Sequence, residues 1–237
     1  MRKKRNVGNK KQLKKIILGL VASSVITLNI TGSTSLAYDR DKAVEYAKTY
    51  WEKYNSEYNN YGNYDCTNFA SQILKAGGYK QKKMPKNTIS LDDLDSLYKT
   101  KTYWCNDIFE IAKENNTVKT GRITTTTWCN VDQLAGSDFY GLQDYMVSKL
   151  GKERYVWGIS ETSINKLAKK AEKGDIIQIA KQNSRFSHTY IVGKVKNGKV
   201  YVYSHSGNRD ASADDELLTM LEDKVFSNYT LMALIKA

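Results

Sequence analysis

Apolar residues recur at helical spacing from Asp41 to Tyr54: Ala43, Ala47, Tyr50 and Tyr54 form one stripe, and Val44 and Trp51 widen it, which predicts a first helix. Phe69, Ala70, Ile73 and Leu74 form a second stripe. Asp65, a residue type favoured at N-caps, precedes it and Gly77-Gly78 follows as a stop, so a helix opens at Cys66 and closes near Ala76. Residues 79 to 101 alternate between basic and acidic, with a short helix expected near Leu91 to Tyr98. Ser137 to Leu150 reads as a capped helix ending at Gly151, and Thr162 to Ala171 as another. The period then changes. Gly174-Asp175 leads into a strand, Ile176 to Ala180, and the Tyr-, Val- and Ile-rich runs Phe186 to Val195 and Lys199 to His205 flank Asn197-Gly198, a strong two-residue hairpin signal. A last strand is expected near Tyr229 to Ile235. The pattern is α+β: N-terminal helices, with the Cys66 helix packed on a small antiparallel β-sheet.

The N-terminus has its own pattern. Residues 2 to 15 carry eight Lys or Arg and no acid, residues 16 to 28 are mostly apolar, and Ser35-Leu36-Ala37 offers small residues at cleavage positions. Residues 1–37 therefore read as a secretory signal peptide and 38–237 as one domain, placing the protein outside the cell or at its wall. The apolar run is interrupted by Ser23, Ser24, Thr27 and Asn29, short for a membrane span of about 20 residues. Those eight basic residues supply most of the net charge of +12 and leave +4 on the remainder. Bulk charge thus gives no case for nucleic-acid binding, and only a mild attraction to an anionic wall remains.

Cys66 is the candidate for chemistry. A sulfur on the first turn of a helix meets unpaired N–H groups and the positive end of the macrodipole, which would lower its pKa. The chain has two histidines, His188 and His205, both downstream. If Asn197 and Gly198 form the loop, Lys196 pairs with Lys199, His205 falls opposite Tyr190 and His188 opposite Gly207. The two histidines would then be diagonal neighbours on one face. An odd loop or a bulge would break that parity and make Asn208 or Asp210 the competing partner. On the regular register, Cys66 is the nucleophile, His188 the base, and His205 the group that orients it.

The run DCTNFASQ with a following GG, then Trp128-Cys129-Asn130-Val131, GDIIQ at Gly174 to Gln178 and SHTYIV at Ser187 to Val192, resembles the Putative amidase domain family, grouped with papain-like cell-wall hydrolases such as the CHAP and NlpC-like enzymes. The similarity covers about residues 40 to 235. It implies a papain-like fold, a thiol nucleophile at Cys66, a base at His188, and a peptidoglycan or peptide substrate. The third member varies across such enzymes, so His205 rests on hairpin parity. Cys105 and Cys129 are a departure from the family pattern.

Other features bear on the reading. Tyr61 and Tyr64, in the loop leading to Cys66, are candidates for a sugar-stacking groove. Cys105 and Cys129, 24 residues apart, could form a disulfide in an oxidising compartment, and the sequence leaves open whether they do; the cysteine count is odd either way, and Cys66 is the natural free thiol. Two rivals stand against the thiol hydrolase. One is a zinc hydrolase with Cys66, His188 and His205 as ligands, although the sequence has no HExxH or paired CxxC spacing. The other is a non-catalytic wall-binding module with an inert Cys66. The sequence reading favours a secreted Cys-His-His amidase or peptidase without metal or cofactor, and leaves open which amide bond is cut.

Overall fold

The fold is taken from a computed structural model that describes residues 37–85, 89, 90, 92–94, 102–112, 117–131, 134, 145–181, 184–206, 215–222 and 228–237. The expected signal-peptide segment, residues 1–37, lies outside these residues apart from Ala37, as do Asn208, Asp210 and most of the expected Ser137 to Leu150 helix. Among the described residues no helix is long and apolar enough to cross a membrane.

Helix α1 spans Arg40–Tyr50, with Asp39 capping its N-terminus by accepting from the Lys42 N–H. Helix α2 spans Cys66–Ala76, the bounds its stripe predicts. A hairpin follows, β1 (Asn106–Ala112) and β2 (Val118–Thr124), leading into a one-turn helix α3 (Thr126–Cys129). The hydrophobic pattern did not reveal this hairpin. Its outer positions Ile108 and Val118 are exposed, which blurs the inside–outside alternation. Strand β3 (Arg154–Gly158) also went unread. Helix α4 (Glu161–Ala168) is capped by Ser160. Then come β4 (Ile176–Lys181), β5 (Phe186–Lys196), β6 (Lys199–Tyr203), a short helix α5 (Leu217–Glu222) and β7 (Tyr229–Ile235).

Five strands form one antiparallel sheet in the order β3-β7-β4-β5-β6. Its two faces bury different helices. Ile176, Ala180, Ile191, Tyr203, Ala233 and Ile235 pack with α1 and α2, while Ile177, Ile179, Tyr190, Val192, Val202 and Leu234 pack with α4 and α5. Strand β4 is central and buried on both sides, so it reads as an unbroken apolar run rather than an alternating one. In α2, Phe69, Ile73 and Leu74 are almost fully enclosed, each worth roughly 1.5–3 kcal/mol of burial.

The Asn197-Gly198 turn forms as expected, both residues at positive φ and Lys196 facing Lys199. The register counted from it fails further on. A bulge at Gly193 sets Val192 opposite Val202 but Lys194 opposite Tyr201, and Ile191 faces Tyr203. One extra residue inverts the parity of everything beyond it. Extended from Ile191 and Tyr203, the register puts His205 opposite Thr189 rather than Tyr190.

Candidate active site

The polar residues of the DCTNFASQ run are buried, and each has a partner. Asn68 donates to the Asn59 carbonyl and to Asp65 Oδ1, and accepts from Trp128 Nε1. The Ser71 hydroxyl donates to the Trp128 carbonyl and accepts from Trp104 Nε1. Gln72 accepts from the Tyr46 hydroxyl, and the hydroxyls of Thr67 and Thr189 meet at 3.0 Å. In GDIIQ, Gln178 donates to the Val131 carbonyl and to Thr189 Oγ1, tying the loop after α3 to β5. Each bond is worth about 1 kcal/mol when made, and a buried group left unpaired costs about 1–3 kcal/mol. These residues therefore fix α2 against β5 and α3 and hold Cys66 in place.

Cys66 begins α2 and lines a cleft of about 460 Å³ together with Tyr64, Cys129, Asn130, Lys181 and Ser206. Its thiol sits 3.7 Å from Thr67 Oγ1. Burial pushes the Cys66 pKa up, the reverse of the lowering expected for a first-turn thiol. Hydrogen bonds from the Thr189 backbone and the Thr67 and Ser206 hydroxyls oppose that rise without cancelling it. Cys129 is pushed up to about 11, again by burial, and Tyr61 bonds to it. The cysteines are all free, so Cys105 and Cys129 are not bridged.

Asp65 does not cap α2 with its side chain. Oδ1 accepts from the Tyr61 N–H and the Asn68 amide, and Oδ2 lies 2.9 Å from His205 Nδ1. Both members of this pair are buried. The imidazole lies between the rings of Tyr54 and Phe69, with centroids 4.2 and 4.9 Å away. His205 thus lies on the α2 face. His188 does not: its ring packs edge-on against Tyr190 at 4.4 Å, and its Nε2 lies 3.0 Å from Ser204 Oγ, on the α4 face. The expected neighbourhood of the two histidines is absent, and the Gly193 bulge is the reason. The hydrogen-bond partners of the Cys66 thiol are Thr67, Thr189 and Ser206, and neither imidazole is among them. A zinc site on Cys66, His188 and His205 would need ligands from both faces of the sheet. Among the described residues no group of three His, Cys, Asp or Glu could hold a metal ion.

The family model described as Putative amidase domain matches residues 37–229, most of the chain. The chain belongs to the Putative amidase domain family. That membership indicates hydrolysis of an amide bond. Among curated proteins, the uncharacterized protein YhbB of Bacillus subtilis (strain 168) is 54% identical over 41 residues, 17% of this chain and 13% of that protein. No solved structure matches.

In this family member, sequence reasoning missed Asp65 as the partner of His205, because an acid beside a helix start reads first as a cap. Tyr61 is half-buried against Cys129, whereas Tyr64 is 81% exposed at the cleft rim and is the better placed of the two for stacking.

Proposed function

We propose that the protein is a secreted thiol-dependent amide hydrolase on a papain-like fold, acting on peptidoglycan, with Cys66 as nucleophile, His205 as general base and Asp65 as its orienting carboxylate. The observation that carries this is the buried Asp65–His205 pair, joined through the backbone to a cysteine that faces a cleft. The fold assignment, the substrate and the export rest on the family resemblance and the basic-apolar leader.

In this reading His205 takes the Cys66 proton as Sγ attacks the carbonyl carbon, and the carbonyl π electrons move to oxygen. The Cys66 backbone N–H, one of the first-turn donors that a helix leaves without an intrahelical acceptor, would receive that oxyanion. Collapse breaks the C–N bond, and the imidazolium gives its proton to the leaving amine. Water, deprotonated by His205, then attacks the thioester, and the thiol is regenerated. A thiol with a raised pKa suits proton removal during attack rather than a standing thiolate. Base and nucleophile commonly close to hydrogen-bond distance only with substrate present.

A second reading has a specific observation behind it. The enclosed, protonated Cys66, with no imidazole on its sulfur, also suits a wall-binding module. Digestion of purified peptidoglycan by the wild type and by Cys66→Ala, with new amine ends identified by mass spectrometry, separates the two. New ends from the wild type alone support hydrolysis. Wall binding by both proteins with no new ends overturns it.

A further inference from the structure

We infer that the Cys66 cleft selects substrates carrying a carboxylate close to the scissile amide, and that Lys181 reads that charge. The inference rests on the hydrolase reading and adds the chemical class of substrate.

Among the described residues that line the cleft, Lys181 is the one with a full charge, and none is acidic. The other lining groups are amides, hydroxyls, thiols, aromatic rings and the Val131 side chain, none of which neutralises an ammonium. Lys181 ends β4 beside another irregularity in the sheet. The β4–β7 register shifts between Ala180 and Lys181, and Lys181 then faces Tyr229. The extra residue at that shift, Thr230, lies on β7, so β4 runs on regularly past Ala180 in the α2-side core and ends at Lys181, which lines the cleft together with Tyr229.

The Lys181 ammonium lies 5.8 Å from the centroid of the Tyr229 ring, a position that steadies the charge without neutralising it. The Tyr229 hydroxyl is itself held by Ser187, which donates to it at 3.3 Å. The lysine has no ion pair among the described residues, unlike Lys173, Lys199 and Lys236, each of which has a carboxylate partner. An unneutralised cation in a partly enclosed cleft focuses potential on whatever enters. A carboxylate-bearing amide is the substrate class that such a cleft favours over a neutral or cationic one. Exposed Tyr64 at the rim adds a surface for an apolar or ring portion of the same molecule.

The charge can be read without turnover. Cys66 is alkylated with iodoacetate and with iodoacetamide at pH 9, and the Cys66 peptide is quantified by mass spectrometry. The ratio of the two rates reports the local potential, since the thiolate fraction cancels. Replacing Lys181 by Met should lower the iodoacetate-to-iodoacetamide ratio about three- to tenfold, and Lys181→Arg should keep it. The wild-type ratio should also fall towards that of Lys181→Met as salt is raised. In parallel, kcat/KM is compared for a peptide amide bearing a free carboxylate and its carboxamide analogue, with Lys181→Met narrowing the preference. An alkylation ratio that Lys181→Met leaves unchanged overturns the inference whether or not the protein hydrolyses amides. A ratio that moves, in a protein that cleaves neither peptide, upholds the anionic cleft and counts against the hydrolase reading instead.

Discussion

His205 Nδ1 and Asp65 Oδ2 are 2.9 Å apart, which joins the segment after β6 to the residue before Cys66. The carboxylate is itself held on its other oxygen by the Tyr61 N–H and the Asn68 amide. An imidazole whose Nδ1 faces a fixed, buried carboxylate has its tautomer and ring plane set, leaving Nε2 to exchange a proton.

Asp65→Ala should lower the unfolding free energy by about 3 kcal/mol in chemical denaturation, because it leaves His205 Nδ1, the Tyr61 N–H and the Asn68 amide short of an acceptor. Asp65→Asn keeps the shape and one acceptor, so it should fold nearly as well. Its NH2 would then oppose Nδ1 and favour the other tautomer, and kcat should fall about 10²-fold or more. An Asp65→Asn enzyme with normal kcat would show that the carboxylate does not orient the base.

Asp175 marks a purely structural site. It is fully buried, accepts from Arg40, Lys236 and the backbone N–H groups of Glu172 and Ala237, and so joins α1, β4 and the C-terminal residues. Removing one partner of a buried charge cluster strands the others. Asp175→Ala should therefore lower stability by about 3–5 kcal/mol. Below its midpoint of denaturation, the alkylation rate of Cys66 should stay as in the wild type. A milder loss, below 1 kcal/mol, would mean that the two cations find solvent easily.

Burial raises the Cys66 pKa, so the thiol should be slow to react at mildly acidic pH and should gain rate through and beyond pH 9, its ordinary value. The linkage has a definite sign. A folded pKa above the unfolded one favours the fold below the ordinary thiol range, and that contribution is lost as pH rises through the raised value. Cys66→Ala should remove this part of the alkaline destabilisation in pH-dependent unfolding. A Cys66 alkylation rate already at its plateau by pH 7 would contradict the burial argument.

How far the sequence carried varied by element. The α2 bounds were legible because a cap-type residue, an apolar stripe and Gly77-Gly78 agree, and β7 was legible from its apolar run. The Asn197-Gly198 turn was legible because positive φ at two successive positions favours those residues. The Gly193 bulge was not, since a glycine within a strand signals an irregularity without fixing which way the register moves. That one residue decided which histidine lies on the α2 face. Hairpin β1–β2 stayed hidden because its apolar residues do not alternate cleanly, and the Asp65–His205 contact because it joins positions far apart in the chain.

The two histidines provide the sharpest test, because position in the sheet and motif resemblance assign the base differently. His188 is enclosed beside Tyr190 and bonds Ser204, whose hydroxyl donates to the Thr189 carbonyl. On position alone, His188 is a packing and positioning group. His188→Ala should lower stability by about 2–4 kcal/mol through cavity formation, while the protein that remains folded keeps kcat within about tenfold. His188→Gln, which still reaches Ser204, should recover part of the stability. His205→Gln should fold well but lose about 10²- to 10⁴-fold in kcat with KM little changed, the pattern of a lost general base. If a well-folded His188→Gln is inactive and His205→Gln is not, the base is the histidine of the Ser187-His188 motif. Substrate binding must then open the β5–β6 edge and bring that ring across to the Cys66 face.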